Sequence, residues 1–143
     1  MKQGILYGIG VGPGDPELIT LKAARVLKEA RTVFAAASTR NDFSYALEIA
    51  RPYLTQDAKI VRLHFPMTRE GTALAQAWAE NARRVAESLK TFGNAVFLTL
   101  GDPLIYSTFG YLMQTLGRDF PEVEIEVIPG VTSFQAAAAR TRT

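Results

Sequence analysis

Short apolar runs rich in Val, Ile, Leu and Phe alternate along the chain with stretches whose apolar residues recur at helical spacing. The alternation predicts strands at Ile5 to Val11, Thr32 to Ala37, Lys59 to Phe65, Ala95 to Leu100 and Glu124 to Ile128. Helices are expected near Glu17 to Ala30, Phe43 to Ala50, Ala73 to Phe92 and Phe109 to Leu116, with a last one from Ser133. In the first helix, Leu18, Leu21, Ala24 and Leu27 form one stripe with Ile19, Ala23, Val26 and Ala30 beside it, a broad face suited to packing on a sheet. Repeated βα units imply an α/β fold: a five-stranded, mostly parallel sheet with right-handed crossovers and helices on both faces.

The junction after the first strand is the densest signal. Gly8, Gly10, Gly12 and Gly14 occupy every second position and are followed by Asp15 and Pro16. Asp15 is expected to cap the helix and Pro16 to open it, while the glycines permit close approach of another group. The dinucleotide fingerprint G-x-G-x-x-G is tested first here. It breaks, because the third glycine would have to stand where Pro13 or Asp15 stands, and the second predicted strand ends in Ala35-Ala36-Ala37-Ser38 with no acidic residue for a ribose hydroxyl. A Walker phosphate loop is excluded, since no Gly-Lys-Ser/Thr occurs.

Composition narrows the classes further. At 143 residues the chain fits one domain, which by size buries about two-thirds of its unfolded surface. Without cysteine it has no disulfide, thiolate site or cysteine nucleophile, and its single histidine, His64, leaves no cluster for zinc, so no metal is expected. Sixteen Lys and Arg against 14 Asp and Glu are spread along the chain, which gives nucleic-acid binding no support. Arg83-Arg84 with Glu80 and Glu87 reads as a solvated helix face. No apolar stretch reaches membrane-spanning length and Met1-Lys2-Gln3-Gly4 opens no signal peptide, so the expected location is the cytoplasm. The last helix reaches Ala136-Ala137-Ala138-Ala139 and meets Arg140-Thr141-Arg142-Thr143 without a glycine cap, the pattern of a segment cut from something longer.

Three loops are placed at strand carboxyl ends: the glycine run, Gly101 to Thr108, and Pro129 to Phe134. In an open parallel sheet these ends share one edge, so the loops can converge on one ligand. The string Gly14-Asp15-Pro16-Glu17-Leu18-Ile19-Thr20, the Gly101-Asp102-Pro103 loop and Pro129-Gly130-Val131-Thr132 resemble those of the tetrapyrrole (corrin and porphyrin) methyltransferases. Phe65 to Glu70, Leu98 to Pro103 leading into Tyr106-Ser107-Thr108-Phe109, and Pro129 to Phe134 are similar to the branch that methylates carbon 20 of precorrin-2. The resemblance covers the whole chain.

The resemblance implies the amino-terminal domain of a two-domain, S-adenosylmethionine-dependent methylase of cobalamin biosynthesis, homodimeric when complete, acting on a tetrapyrrole. By motif position the methyl donor would be met by Pro13, Leu100, Gly101, Asp102, Ile105, Thr132 and Ser133, with Tyr106, Ser107 and Thr108 reaching the donor or the macrocycle. Each also has a plain structural use: Asp102 closing its own turn, Thr132 and Ser133 capping a helix, Tyr106 packing in the core. Arg40 and Arg69 suit the carboxylate rim of such a substrate and suit a solvated surface equally. Some relatives carry an acidic residue just after the second strand, where this chain has Ala35, Ala36 or Ala37, so no base is carried over. His64 ends a strand near the expected pocket, and the catalytic residue stays unassigned. Alternatives are methylation of another tetrapyrrole, a dinucleotide oxidoreductase, and an isolated half without activity.

Overall fold

The structure is a computed structural model and describes residues 3–38, 43–66 and 68–143. Five strands, β1 (Ile5–Gly10), β2 (Thr32–Ser38), β3 (Lys59–Phe65), β4 (Ala95–Thr99) and β5 (Glu124–Ile128), form one sheet in the order β3-β2-β4-β1-β5, with every ladder parallel. The helices are α1 (Leu21–Glu29), α2 (Tyr45–Ala50), α3 (Gly71–Phe92), α4 (Phe109–Asp119) and α5 (Ser133–Thr141).

Alternation along the strands divides the core between the two faces of the sheet. Val33, Ala35, Val96, Leu98 and Ile9 pack with Ala23, Val26 and Leu27 of α1 and with Leu47 and Ala50 of α2. On the other face Leu6, Phe34, Leu63 and Phe97 pack with Val85 and Leu89 of α3 and with Phe109, Leu112 and Leu116 of α4. β4 is buried at every residue, which is why its sequence runs apolar without alternation.

The predicted first helix is corrected by the structure. Asp15 does act as a cap, its Oδ1 accepting from Glu17 N at 2.9 Å, but only for a 3-10 turn at Pro16–Leu18. Ile19 and Thr20 are extended, and Thr20 Oγ1 then accepts from Ala23 N at 3.1 Å to start α1. Two caps five residues apart cannot serve one helix, so the phase is reset and the apolar stripe splits. Leu21 is left 91% exposed and Leu18 is exposed beside it. Tyr53 Oη donates to Pro16 O and pins the turn to the segment after α2. The expected surface face of α3 is present: Arg83 pairs with Glu80 and with Glu87 at 2.6 Å, and the hydrogen bond from Arg83 holds the Glu80 carboxyl below its ordinary range.

Chain order sets the position of the site. β1 leads through α1 to β2 on one side, while β4 leads through α4 to β5 on the other, with the two helices on opposite faces. The directions of winding therefore diverge between β1 and β4, and the carboxyl ends of these neighbours are the switch point of the sheet.

Candidate functional site

At that switch point the main chain closes the crevice. Beyond the last ladder pair, Gly10 with Thr99, Val11 N donates to Thr99 O at 2.9 Å. Gly12 and Gly101 then exchange hydrogen bonds, Gly12 N to Gly101 O at 3.3 Å and Gly101 N to Gly12 O at 2.9 Å. Both take positive φ, 82° and 60°, which accounts for glycine at each. The third loop packs against the same oxygen: a Cβ on Gly130 would lie 2.1 Å from Gly101 O, and one on Gly10 would lie 2.3 Å from it.

Asp102 completes the tie. Its Oδ1 accepts from Gly130 N at 3.0 Å and its Oδ2 from Leu104 N at 3.0 Å, so one carboxylate closes its own turn and holds the loop after β5. Thr132 is buried, and its hydroxyl accepts from Gln135 N at 3.3 Å while Gln135 Oε1 accepts from Thr132 N at 2.9 Å, a reciprocal cap on α5. Gly101 and Asp102 thus join the three loops, Thr132 caps α5, and Ser133 stands exposed at the first position of that helix.

With the crevice closed, space is left on its flanks. A groove of about 340 Å³ runs between Pro13, Gly14 and Pro16 of the first loop and Tyr45, Glu48 and Ile49 of α2, reaching Leu100. A second, of about 260 Å³, is bounded by Leu100, Tyr106, Ser107 and Thr108 and by Phe43, Ser44, Tyr45 and Ala46 at the start of α2. A third, of about 600 Å³, opens on the other side of the same loop, along Leu104, Tyr106, Ser107, Thr108, Gly110, Tyr111 and Gln114. Glu48, the charged residue among these linings, is paired with Arg51 at 3.0 Å.

Most of the expected site residues therefore gather at one edge. Pro13 and Leu100 line the first groove; Leu100, Tyr106, Ser107 and Thr108 the second; Ile105 is exposed between Leu104 and Tyr106. Packing of Tyr106 in the core is overturned, since the ring is fully exposed. Arg69 is exposed just ahead of α3 and is not among the residues lining these grooves, and Arg40 lies outside the described residues. His64 is exposed on the edge strand β3, its carbonyl accepting from Asn81 Nδ2 at 3.0 Å, and it too lines none of the three grooves.

Sequence reasoning missed the amino end of α2. Ser44 caps it through Leu47 N at 3.2 Å, and Phe43 and Tyr45 meet edge to face at 4.7 Å. The available signal was a Ser immediately before an apolar run, with aromatics on either side, following a strand whose carboxyl end shares the site's edge.

Comparison with known proteins agrees with this fold. The family described as Tetrapyrrole (Corrin/Porphyrin) Methylases matches residues 5–143. Cobalt-precorrin-2 C(20)-methyltransferase of Salmonella typhimurium is 39% identical over 140 residues, which are 98% of this chain and 58% of that protein. Cobalamin biosynthesis protein CobIJ of Mycobacterium tuberculosis is 42% identical over 99% of the chain and 28% of its own length. Among solved structures, uroporphyrin-III C-methyl transferase from Thermus thermophilus, complexed with S-adenyl homocysteine, superposes with a TM-score of 0.67 at 31% identity, covering 94% of this chain and 48% of that one. The chain thus spans little more than half of the Salmonella relative and less than half of the Thermus structure.

Proposed function

The chain belongs to the tetrapyrrole (corrin/porphyrin) methylases, and from that premise we propose that it supplies the amino-terminal domain of an enzyme transferring a methyl group from S-adenosylmethionine to carbon 20 of precorrin-2 or its cobalt form, in cobalamin biosynthesis. The observation that carries the reading is the pair of grooves sharing Leu100 and Tyr45 beside the closed glycine junction. Their linings combine aromatic faces, apolar walls and the hydroxyls of Ser44, Ser107 and Thr108. That donor set fits a ligand with a flat heteroaromatic ring, a ribose and an amino-acid tail. Similarity in sequence to the Salmonella enzyme supports the choice of acceptor.

S-adenosylmethionine would supply an electrophilic methyl group on a sulfonium. Pro13, Leu100, Gly101, Asp102, Ile105, Tyr106, Ser107, Thr108, Thr132 and Ser133 are the residues proposed to hold it, through main-chain groups and hydroxyls. The nucleophile is the acceptor's own electron-rich carbon: as the new carbon–carbon bond forms, the methyl–sulfur bond breaks, S-adenosylhomocysteine leaves and the proton on carbon 20 passes to a base, so the task proposed for this chain's residues is alignment and exclusion of water. Holding two reactants at near-contact distance can remove roughly 7–11 kcal/mol from the barrier. Arg40 and Arg69 are proposed as anchors for carboxylates on the acceptor rim.

The decisive experiment joins this chain to the part of the Salmonella relative outside the matched region and supplies precorrin-2 with labelled S-adenosylmethionine. Label should enter the tetrapyrrole, and none entering would defeat the reading. The donor site is proposed to lie between two domains, so calorimetry with S-adenosylhomocysteine should give clearly weaker binding to the 143-residue chain than to the joined protein. Equal micromolar-class affinity for both would rule out a shared pocket. Light scattering on the joined protein checks the proposed homodimer.

A further inference from the structure

The amino edge of the sheet carries a groove that methyl transfer does not use. α3 packs inward through Ala82, Val85, Ala86 and Leu89, and because β3 is the outermost strand, the helix overhangs the rim of the sheet. Beneath the overhang lies a groove of about 270 Å³, floored by Phe34 and Val61 and bounded by Lys59 at the start of β3. Arg84, Ser88, Thr91 and Phe92 of α3 line it at i, i+4, i+7 and i+8, so they share one helix face over roughly 12 Å.

The polar groups along this face are uncommitted. Arg84 forms no ion pair among the described residues, and Glu87, the carboxylate in the lining, is already held by Arg83 at 2.6 Å. Thr115 and Thr141 donate their hydroxyls to carbonyls four residues back at 2.9 Å, whereas those of Ser88 and Thr91 make no hydrogen bond among the described residues. The Phe92 ring is 60% exposed, and Lys59 Nζ stands 5.2 Å from its centroid, which steadies the ring and keeps a cation beside it. The carbonyl end of a helix disfavours anions only within its last turn, and Arg84 stands two turns before it. There Leu89 O is engaged by the amides of Gly4 at 3.1 Å and Gly93 at 3.2 Å.

We infer that this groove binds a mononucleotide, with its phosphate on Arg84 and Ser88, its sugar hydroxyls by Thr91 and its base against Phe92. A guanidinium takes phosphate oxygens in pairs, and the neighbouring hydroxyl adds a donor. The order of cation, hydroxyl, hydroxyl and ring along α3 repeats the order of phosphate, sugar and base along the ligand. At the ring end Lys59 meets the acceptor atoms of the base.

Adenosine monophosphate is titrated by calorimetry against the 143-residue chain, with adenosine and inorganic phosphate as separate arms. Saturable binding of the nucleotide is expected, about tenfold or more tighter than that of either fragment. Arg84→Gln should weaken the nucleotide about tenfold and leave adenosine unchanged, and Arg84→Lys, which keeps the charge without the fork, should recover only part. Phe92→Leu should weaken nucleotide and adenosine alike. Both side chains are exposed, so these variants keep the fold. No saturable nucleotide binding, phosphate alone binding as tightly, or parent-like binding by Arg84→Gln or Phe92→Leu would overturn the inference. β3 separates this groove from the carboxyl edge by about 20 Å, so excess S-adenosylhomocysteine should leave the nucleotide bound to the joined protein. Displacement would put the nucleotide in the donor site and overturn the inference as well.

Discussion

Asp102 and Gly130 are 28 positions apart and are joined by a 3.0 Å hydrogen bond from the Gly130 amide to Oδ1. The bond links the loop after β4 to the loop after β5, while Oδ2 serves the Leu104 amide. The carboxylate is thus engaged with main chain on both sides, which makes it a brace as well as a proposed ligand contact.

Removing the brace should be felt in the fold. Asp102→Ala in the 143-residue chain should lose roughly 1.5–3 kcal/mol, the range for hydrogen bonds to charged acceptors, read as a lower urea midpoint. Asp102→Asn, which keeps one acceptor oxygen, should recover part of the loss. An unchanged midpoint for Asp102→Ala would mean the two bonds contribute nothing net.

Gly130→Ala tests the packing of the glycine junction. Its Cβ would stand 2.1 Å from Gly101 O and 2.8 Å from Gly10 C, both main-chain atoms of tied segments. Overpacking of this kind costs about 1–3 kcal/mol, so melting should fall by several degrees, at roughly 2–4 °C per kcal/mol. Gly14→Ala makes the control for open space, since nothing lies within 4 Å of its Cβ position, although its φ of 155° adds some strain of its own.

The start of α1 can be located by two alanines. Thr20→Ala should destabilise by about 1 kcal/mol because Thr20 caps a nine-residue helix packed on the core. Asp15→Ala, which uncaps only a three-residue turn, should cost less. Equal losses, or the reverse order by chemical denaturation, would restore the single long helix read from the sequence.

How legible the chain was depended on what each residue type can announce. β3 and β5 were read to the residue because a run of β-formers bounded by polar turns has one interpretation. Residues 16–30 misled because Asp15-Pro16 and Thr20 are both valid starts, and only the packing of Val26 and Leu27 under the sheet decides between them. The carboxyl-edge loops were visible through glycine and Gly-Asp-Pro. The contribution of Phe43 and Tyr45 was not, since an aromatic beside a helix start looks the same whether it faces a groove or a core. Nor could spacing reveal that the loops fasten to one another through Asp102.

Thr132→Ala addresses the third loop. Alanine removes the hydroxyl that accepts from Gln135 N while the Thr132 main-chain amide can still donate to Gln135 Oε1, so about 1 kcal/mol should disappear, and Thr132→Ser should restore most of it. Amide exchange at Gln135 is the local readout, faster in the alanine variant and near parent rate in the serine one.

The paired amides of Gly12 and Gly101 have a wider consequence. A seam made of glycine main chain presents no side chain of its own, so substitutions confined to the banks of the grooves leave it as it is. Such a division lets the shape of the grooves drift, one wall residue at a time, around a fixed point at the edge of the sheet.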